Sequence, residues 1–196
     1  DFRLPLVCVQ GFRPAYLALE KAGYTVLAEL NAAEKFAGSL IVLGKHREQN
    51  RTNIHTALTR TMAGAPVLVA GAKTSGIESM RKEIAALLPV DESWSKHHAQ
   101  VFQLTRPEHW VSSAPEISAR IEVDGFSFET APGMFSHKAV DAGSALLAKH
   151  LKALKGHVAD FGAGWGYLSW AALRNAHGIE HLCLYEADHA SLRAAQ

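Results

Sequence analysis

The sequence predicts an α/β protein in two parts, on three observations. Hydrophobic residues make up 48% of the 196 and charged residues 20%, enough apolar material for a packed core. Short apolar runs bounded by turn residues alternate with stretches at helical spacing, the order of a mostly parallel sheet covered on both faces. A shift of composition over Pro107 to Ser118, with two prolines, three serines and few large apolar groups besides Trp110 and Val111, reads as a linker with a boundary near residue 115.

Strands are expected at Leu6 to Val9, Ser39 to Leu43, Pro66 to Ala70, Gln100 to Leu104 and Gly156 to Phe161. Between them, Arg13 to Ala22 has Pro14 in its first turn and stops at Gly23. Asn53 can cap a helix to about Met62, and Ser75 another over Gly76 to Leu88, halted by Pro89. Beyond the linker, Ile121 to Val123 and Phe126 to Phe128 flank Asp124-Gly125, the two-residue turn of a tight hairpin. Asp141 or Ser144 can cap a helix over Ala145 to Leu154, and Leu168 to Asn175 reads as another. Ile179 to Tyr185 is a further apolar run, and Ala187 to Gln196 opens a helix. The chain begins at Asp1 without methionine and ends inside that helix, so it reads as a piece of a longer protein.

Twenty basic against nineteen acidic side chains leave +1, a balance that neither recruits nor excludes nucleic acid. No apolar run reaches the roughly 18 residues of a membrane span, and the amino end lacks the layout of a secretory signal, so a cytoplasmic protein without a membrane partner is expected. Cys8 and Cys183 have no neighbours at metal-ligand spacing and read as buried thiols. His177 and His181, four apart, and the adjacent His97 and His98 lack a third ligand, so no metal is expected. Trp94, Trp110 and Trp170 read as core or linker packing, with Trp165 set apart by its place in a glycine turn. Residues 35 to 82 hold eight basic groups, among them Lys45, Arg47, Arg51 and Lys73, against Glu48 and Glu78. That stretch can hold a phosphate backbone, and a solvated helix face explains the same count.

The most informative segment runs from His157 through Asp160-Phe161-Gly162-Ala163-Gly164-Trp165-Gly166 to Tyr167, an apolar strand that enters glycines at every second position before a helix. Glycine lets the chain turn sharply at the strand's carboxyl end and lets a ligand approach the backbone. The dinucleotide fingerprint would place its third glycine at Tyr167, so the pattern is GxGxG preceded by an acid. Twenty residues after Gly166, Glu186 ends the next apolar run, where a carboxylate can accept hydrogen bonds from both hydroxyls of a ribose. Upstream, Thr130 to Ser136 reads as a turn, and helix capping alone would explain Asp141 to Ser144.

The segments PGMFS, VDAGSALLAKHL and VADFGAGWGYLS, with LYEAD at the end of the second strand, resemble the small-subunit ribosomal RNA guanine-N2 methyltransferases, RsmC-like enzymes with a methyltransferase small domain, and their large-subunit relatives. In that family two methyltransferase-like halves are joined and the second binds S-adenosylmethionine. Ile41 to Lys45 and Val69 to Ser79 are similar to the degenerate first half. The resemblance implies residues 1–115 as an N-terminal degenerate methyltransferase-like domain for RNA recognition or support. It implies 116–196 as the start of a Rossmann-like class I methyltransferase domain.

The resemblance makes Asp160, Gly162, Gly164 and Gly166 the loop contacts to S-adenosylmethionine and Glu186 the ribose acceptor. It places Phe135, Ser136, Asp141 and Gly143 beside the cofactor, and ribosomal RNA or the small ribosomal subunit as partner. Ala163 stands in place of the family's usual cysteine or similar small residue, a harmless departure, Ala159 replaces the more usual leucine before the aspartate, and Trp165 is bulky for that loop and can alter how the methionine end is held. The family's Asn-Pro-Pro tetrapeptide, which would hold the guanine amine, occurs nowhere in the chain, so no catalytic residue is named and this stretch alone is expected to be inactive. Methyl transfer to protein or DNA, and a noncatalytic RNA-binding or assembly module, are the alternatives.

Overall fold

A computed structural model describes residues 5–31, 33–110, 119–152 and 154–196. In chain order the elements are β1 (Val7–Val9), α1 (Arg13–Lys21), β2 (Thr25–Leu27), β3 (Ser39–Val42), α2 (Arg47–Arg60), β4 (Pro66–Ala72), a 3-10 turn at Lys73–Ser75, α3 (Ile77–Ala85), β5 (Glu92–Lys96), β6 (Ala99–Thr105), β7 (Ala119–Val123), β8 (Phe126–Thr130), α4 (Ala142–His150), β9 (Lys155–Phe161), α5 (Tyr167–Asn175), β10 (Gly178–Tyr185) and α6 (His189–Ala194). They group into two compact units, Ala32–Ile117 and the discontinuous pair Asp1–Asn31 with Ser118–Gln196.

This grouping differs from a division into 1–115 and 116–196 at the amino end. β1 pairs in parallel with β2, and the turn between β1 and α1 bonds to the segment after Glu186. Arg13 donates its amide to the Ala187 carbonyl at 2.8 Å, and His189 donates to Gly11 at 3.0 Å. Arg193 donates to both carboxylate oxygens of Glu29, at 2.7 and 2.6 Å. Residues 111–118 of the expected linker, with the boundary near 115, lie outside the described residues.

In the Ala32–Ile117 unit the sheet order is β3-β4-β6-β5, with β3 and β4 parallel and both β4-β6 and β6-β5 antiparallel. The mostly parallel sheet is therefore corrected here, for a physical reason. The α3 crossover returns β5 parallel to β4 but one strand away. His97 and His98, at φ 49° and 59°, then turn the chain tightly and lay β6 into the gap, antiparallel to both neighbours. β5 itself, Glu-Ser-Trp-Ser-Lys, escaped the sequence reading because an edge strand exposed along its whole length carries no apolar alternation.

Coverage on both faces is corrected as well. Ile41, Leu43, Val67, Val69, Phe102 and Leu104 from the strands form one core with Ile54 and Leu58 of α2 and Ile77, Met80 and Ile84 of α3. Both helices thus lie on one face, and alternation along the strands puts exposed Leu40 and Val42 on the other. Each fully buried side chain in that core contributes about 1.5–3 kcal/mol, which fixes the positions of the loops at the strand ends. α2 starts at Arg47, six residues before the expected Asn53 cap. The reason is Asn50, which bonds back to the loop ahead of the helix.

In the other unit, β9 and β10 pair in parallel with one irregularity between Ile179 and His181. The β7–β8 hairpin turns at Asp124-Gly125 as expected, with φ of 49° and 83°. Ile121, Met134 and Trp165 form its small buried core, with Val123, Phe128 and Tyr167 packed against it. α4 begins at Ala142, capped by Asp141, whose carboxylate accepts from the Ser144 amide at 2.9 Å.

Candidate cofactor site

β9 delivers the chain to Gly162, and β10 delivers it to Glu186, side by side at the carboxyl ends of two paired strands. The turn is anchored first by its own backbone: the amides of Gly162 and Ala163 donate to the Tyr185 carbonyl at 2.7 and 3.2 Å. The Gly164 amide then donates to Oε2 of Glu186 at 2.8 Å. Oε1 of Glu186 accepts from the amides of Ala187 at 2.6 Å and Asp188 at 2.9 Å. The two positions separated by about twenty residues in sequence are thus in direct contact.

Two glycines in the turn are required for different reasons. At Gly164, φ is 55° and a Cβ would meet nothing within 4 Å, so the requirement is conformational and the space beside the backbone is open. At Gly166, φ is 92° and a Cβ would sit 3.1 Å from Cβ of Ala195 and 3.2 Å from its Cα, so the position is also crowded. A carboxylate offers about four acceptor directions, and three on Glu186 are taken by amides. One direction remains for a ligand, and a second opens only if the Gly164 amide lets go.

Asp160 accepts from Oγ of the buried Ser169 at 2.6 Å, which ties β9 to α5 beneath the turn. Trp165, only 5% exposed, belongs to the core, although its place in the turn set it apart from the packing tryptophans. Its indole Nε1 donates to the Phe135 carbonyl at 3.1 Å, and its ring meets Phe128 edge-on with centroids 5.2 Å apart. The bulky side chain is therefore an anchor that ties the Phe135 backbone to the glycine turn. Phe135 itself is 68% exposed, and Ser136 adopts φ 51°. Asp141 is occupied as the α4 cap, and Gly143 lies so close that a Cβ would be 3.0 Å from Oδ2 of Asp141. Local capping accounts for both residues in the structure.

The four basic residues singled out between 35 and 82 are not equally available. Glu83, one residue past that stretch, accepts from Nη2 of Arg47 at 2.8 Å, from Nε of Arg51, and from Nη2 of Arg51 at 3.0 Å. The hydrogen bond from Arg51 is the main reason the Glu83 carboxyl lies below the usual carboxylate range, and the same bond raises Arg51. Lys73 stands 3.5 Å from Glu78, both exposed, and Lys45 is exposed in the loop after β3. Near α2's far end, burial lowers the imidazole of His55, whose ring lies 5.7 Å from that of Trp110. Trp94, read as a packing residue, is instead 48% exposed on the edge strand β5.

Among the described residues, no group of three or more His, Cys, Asp or Glu is arranged to hold a metal ion, and no helix is long and apolar enough to cross a membrane. His181, four residues after His177, faces His157, with ring centroids 5.6 Å apart. Cys8 and Cys183 are free thiols, each half-buried.

Residues 125–196 match the family described as "Methyltransferase small domain". A ribosomal RNA small subunit methyltransferase C from Pseudomonas putida is 31% identical over 167 residues, covering 82% of this chain and 50% of that protein. Its namesake in Pseudomonas entomophila is 32% identical over 172 residues, with shares of 82% and 50%. The one in Ectopseudomonas mendocina is 28% identical over 190 residues, 93% of this chain and 56% of that protein. The chain spans about half the length of the curated relatives it matches. Among solved structures, one described as the T. thermophilus 16S rRNA N2 G1207 methyltransferase (RsmC) in complex with AdoMet and guanosine superposes with a TM-score of 0.78 at 23% identity. It covers 96% of this chain and 54% of that one, and the fold is shared.

Proposed function

Because this chain resembles the ribosomal RNA small subunit methyltransferase C proteins along 82% of its length, we propose that the whole protein moves a methyl group from S-adenosylmethionine to the exocyclic amine of a guanine in ribosomal RNA. Its place of work in this reading is the cytoplasm, on RNA of the small ribosomal subunit. The observation that supports it most is the 2.8 Å contact between the Gly164 amide and the Glu186 carboxylate.

The residues present fit the adenosyl group. Open space lies where a Cβ of Gly162 or Gly164 would stand, so a ligand can approach the backbone there. Glu186 accepts a ribose hydroxyl in its remaining direction, and gripping both hydroxyls requires the Gly164 amide to exchange its carboxylate for the ligand. Asp160, fixed by Ser169, and the backbone at Gly162, Gly164 and Gly166 hold the turn in shape. In this reading Phe135 and Ser136, tied to the turn by the bond from Trp165 to the Phe135 carbonyl, contact the cofactor together with Asp141 and Gly143. S-adenosylmethionine supplies, when bound, an electrophilic methyl on a sulfonium. This chain's contribution would be positioning: as the amine nitrogen bonded to the methyl carbon, the carbon–sulfur bond would break, the thioether would leave, and the amine would lose a proton to solvent. Lys45, Arg47, Arg51 and Lys73 complete the reading as contacts to RNA phosphate, with Arg47 and Arg51 acting while tethered to Glu83.

Incubating the whole protein with methyl-labelled S-adenosylmethionine and small-subunit RNA, then digesting to nucleosides, tests this directly. Label in N2-methylguanosine is expected. Label found in protein or DNA instead, or cofactor binding without transfer to any RNA, would overturn the assignment.

A further inference from the structure

The open face of the sheet in the Ala32–Ile117 unit has a specific lay-out. Strand register places Val42, Ala70, Val101 and Trp94 in one row across β3, β4, β6 and β5, and Ala72, Ala99 and Lys96 in the next. Both rows lie opposite Phe102 and Leu104, which face the helices. Trp94 and Val42 are exposed at the two margins, and between them Ala70 and Val101, with Ala72 and Ala99 in the next row, make an apolar floor of small side chains roughly 14 Å across.

The end of the sheet beside that floor is basic. Lys45 follows β3, Lys73 follows β4, and Lys96, His97 and His98 form the tip of the β5–β6 hairpin. The Lys73 amide donates to the His98 carbonyl at 2.9 Å, so the tip and the end of β4 are joined. Acids at this end are Glu48 in the first turn of α2 and Glu78, 3.5 Å from Lys73, with Glu83 bonded to Arg47 and Arg51; Glu92 shares the face of Trp94 two residues away, toward the other end of β5. The tip also holds two non-glycine residues in the left-handed region, at φ 49° and 59°, where the chain's other two-residue hairpin uses Asp124-Gly125. Such a turn is costly for side-chain-bearing residues, and it sets two histidines next to Lys96 in the chain and joined through the backbone to Lys73.

We infer that single-stranded RNA lies on this face, with a base stacked on Trp94 over the alanine floor and its phosphates against Lys96, Lys73 and Lys45. An aromatic platform bordered by cations is the arrangement that binds unpaired nucleic acid with little sequence preference. Charge complementarity at the sheet end favours this occupant over a second copy of the chain, which would bring the same cations together. The inference rests on the ribosomal RNA reading above and adds Trp94, Lys96, His97 and His98, which that reading does not use.

The test measures fluorescence anisotropy of a labelled, unstructured oligouridine of twelve nucleotides with the whole protein, across a salt series, alongside calorimetry with S-adenosylmethionine. Trp94→Ala is expected to weaken RNA binding about tenfold. The triple variant K45E/K73E/K96E is expected to lower the slope of log affinity against log salt by about 2, at roughly 0.7 for each single-strand phosphate that is no longer neutralised. Cofactor affinity should be unchanged in both. If the wild type binds the RNA and both variants match it in affinity and slope, the inference is wrong while the methyltransferase reading stands. If the wild type binds the cofactor but not the oligouridine, the inference is wrong, and the labelling of small-subunit RNA decides the reading it rests on. A shift from dimer to monomer in Trp94→Ala by sedimentation would assign the face to a second copy and overturn the inference.

Discussion

Two turns in this chain follow the same plan, a strand whose carboxyl end passes through glycine into a helix, and they end differently. After β3, Gly44 is closed: the side chain of Asn50, 2% exposed, donates to the Gly44 carbonyl and accepts from the Gly44 amide, both at 2.9 Å. After β9, the amide of Gly164 is met by a carboxylate from the neighbouring strand, and the space beside the backbone is open. The first turn has spent its backbone polar groups on the fold, whereas the second keeps a charged acceptor beside open space. A shared topology therefore does not carry shared chemistry; the difference lies in which side chain reaches the turn.

The largest break in the comparison comes from crowding. Gly166→Ala must force a left-handed alanine into contact with Ala195, and a loss of about 3 kcal/mol is expected in denaturant unfolding. Gly164→Ala, where the space is open, should lose only about 1 kcal/mol. Equal losses at the two positions would contradict the distinction drawn between them. At the closed turn, Asn50→Ala removes two buried hydrogen bonds and should lower stability by about 2 kcal/mol while leaving affinity for S-adenosylmethionine unchanged.

Trp165→Phe keeps most of the ring packing but deletes the donor to the Phe135 carbonyl. About 1 kcal/mol of stability should be lost, with a several-fold fall in cofactor affinity measured by calorimetry. Unchanged affinity would make Trp165 a core residue and nothing more.

The smallest effect is at Glu83. Its carboxyl is lowered in the folded state by the bond from Arg51, so the pair stabilises the fold above the ordinary carboxylate pKa and loses that contribution as pH falls through the lowered value. Glu83→Gln should remove this acid-limb dependence, worth about 1 kcal/mol or less for a partly exposed group, in unfolding followed between pH 3 and 6.

The strand, glycine turn and helix around Gly164 were legible because local conformation, apolar periodicity and turn chemistry agree there. The distance to Glu186 was legible for the same reason. What escaped the sequence is what depends on contacts between distant residues. Nothing local in Asn50 announces that it folds back on Gly44, and a charge tally along the chain cannot see that Glu83 binds Arg47 and Arg51. Trp94 and Trp165 were read almost in reverse, since burial of an aromatic is decided by what covers it: an edge strand leaves Trp94 open, and the β7–β8 hairpin buries Trp165. The grouping of Asp1–Asn31 with the second unit rests on backbone bonds from Gly11 and Arg13, which no composition reveals.

Titration calorimetry of S-adenosylmethionine into the whole protein and its Glu186→Ala variant tests the contrast between the two turns most directly. One site per chain is expected in the wild type, weakened by at least about tenfold in the variant, the loss of charge-assisted hydrogen bonds to the ribose. Two sites per chain, no binding, or equal affinity in the variant would contradict it.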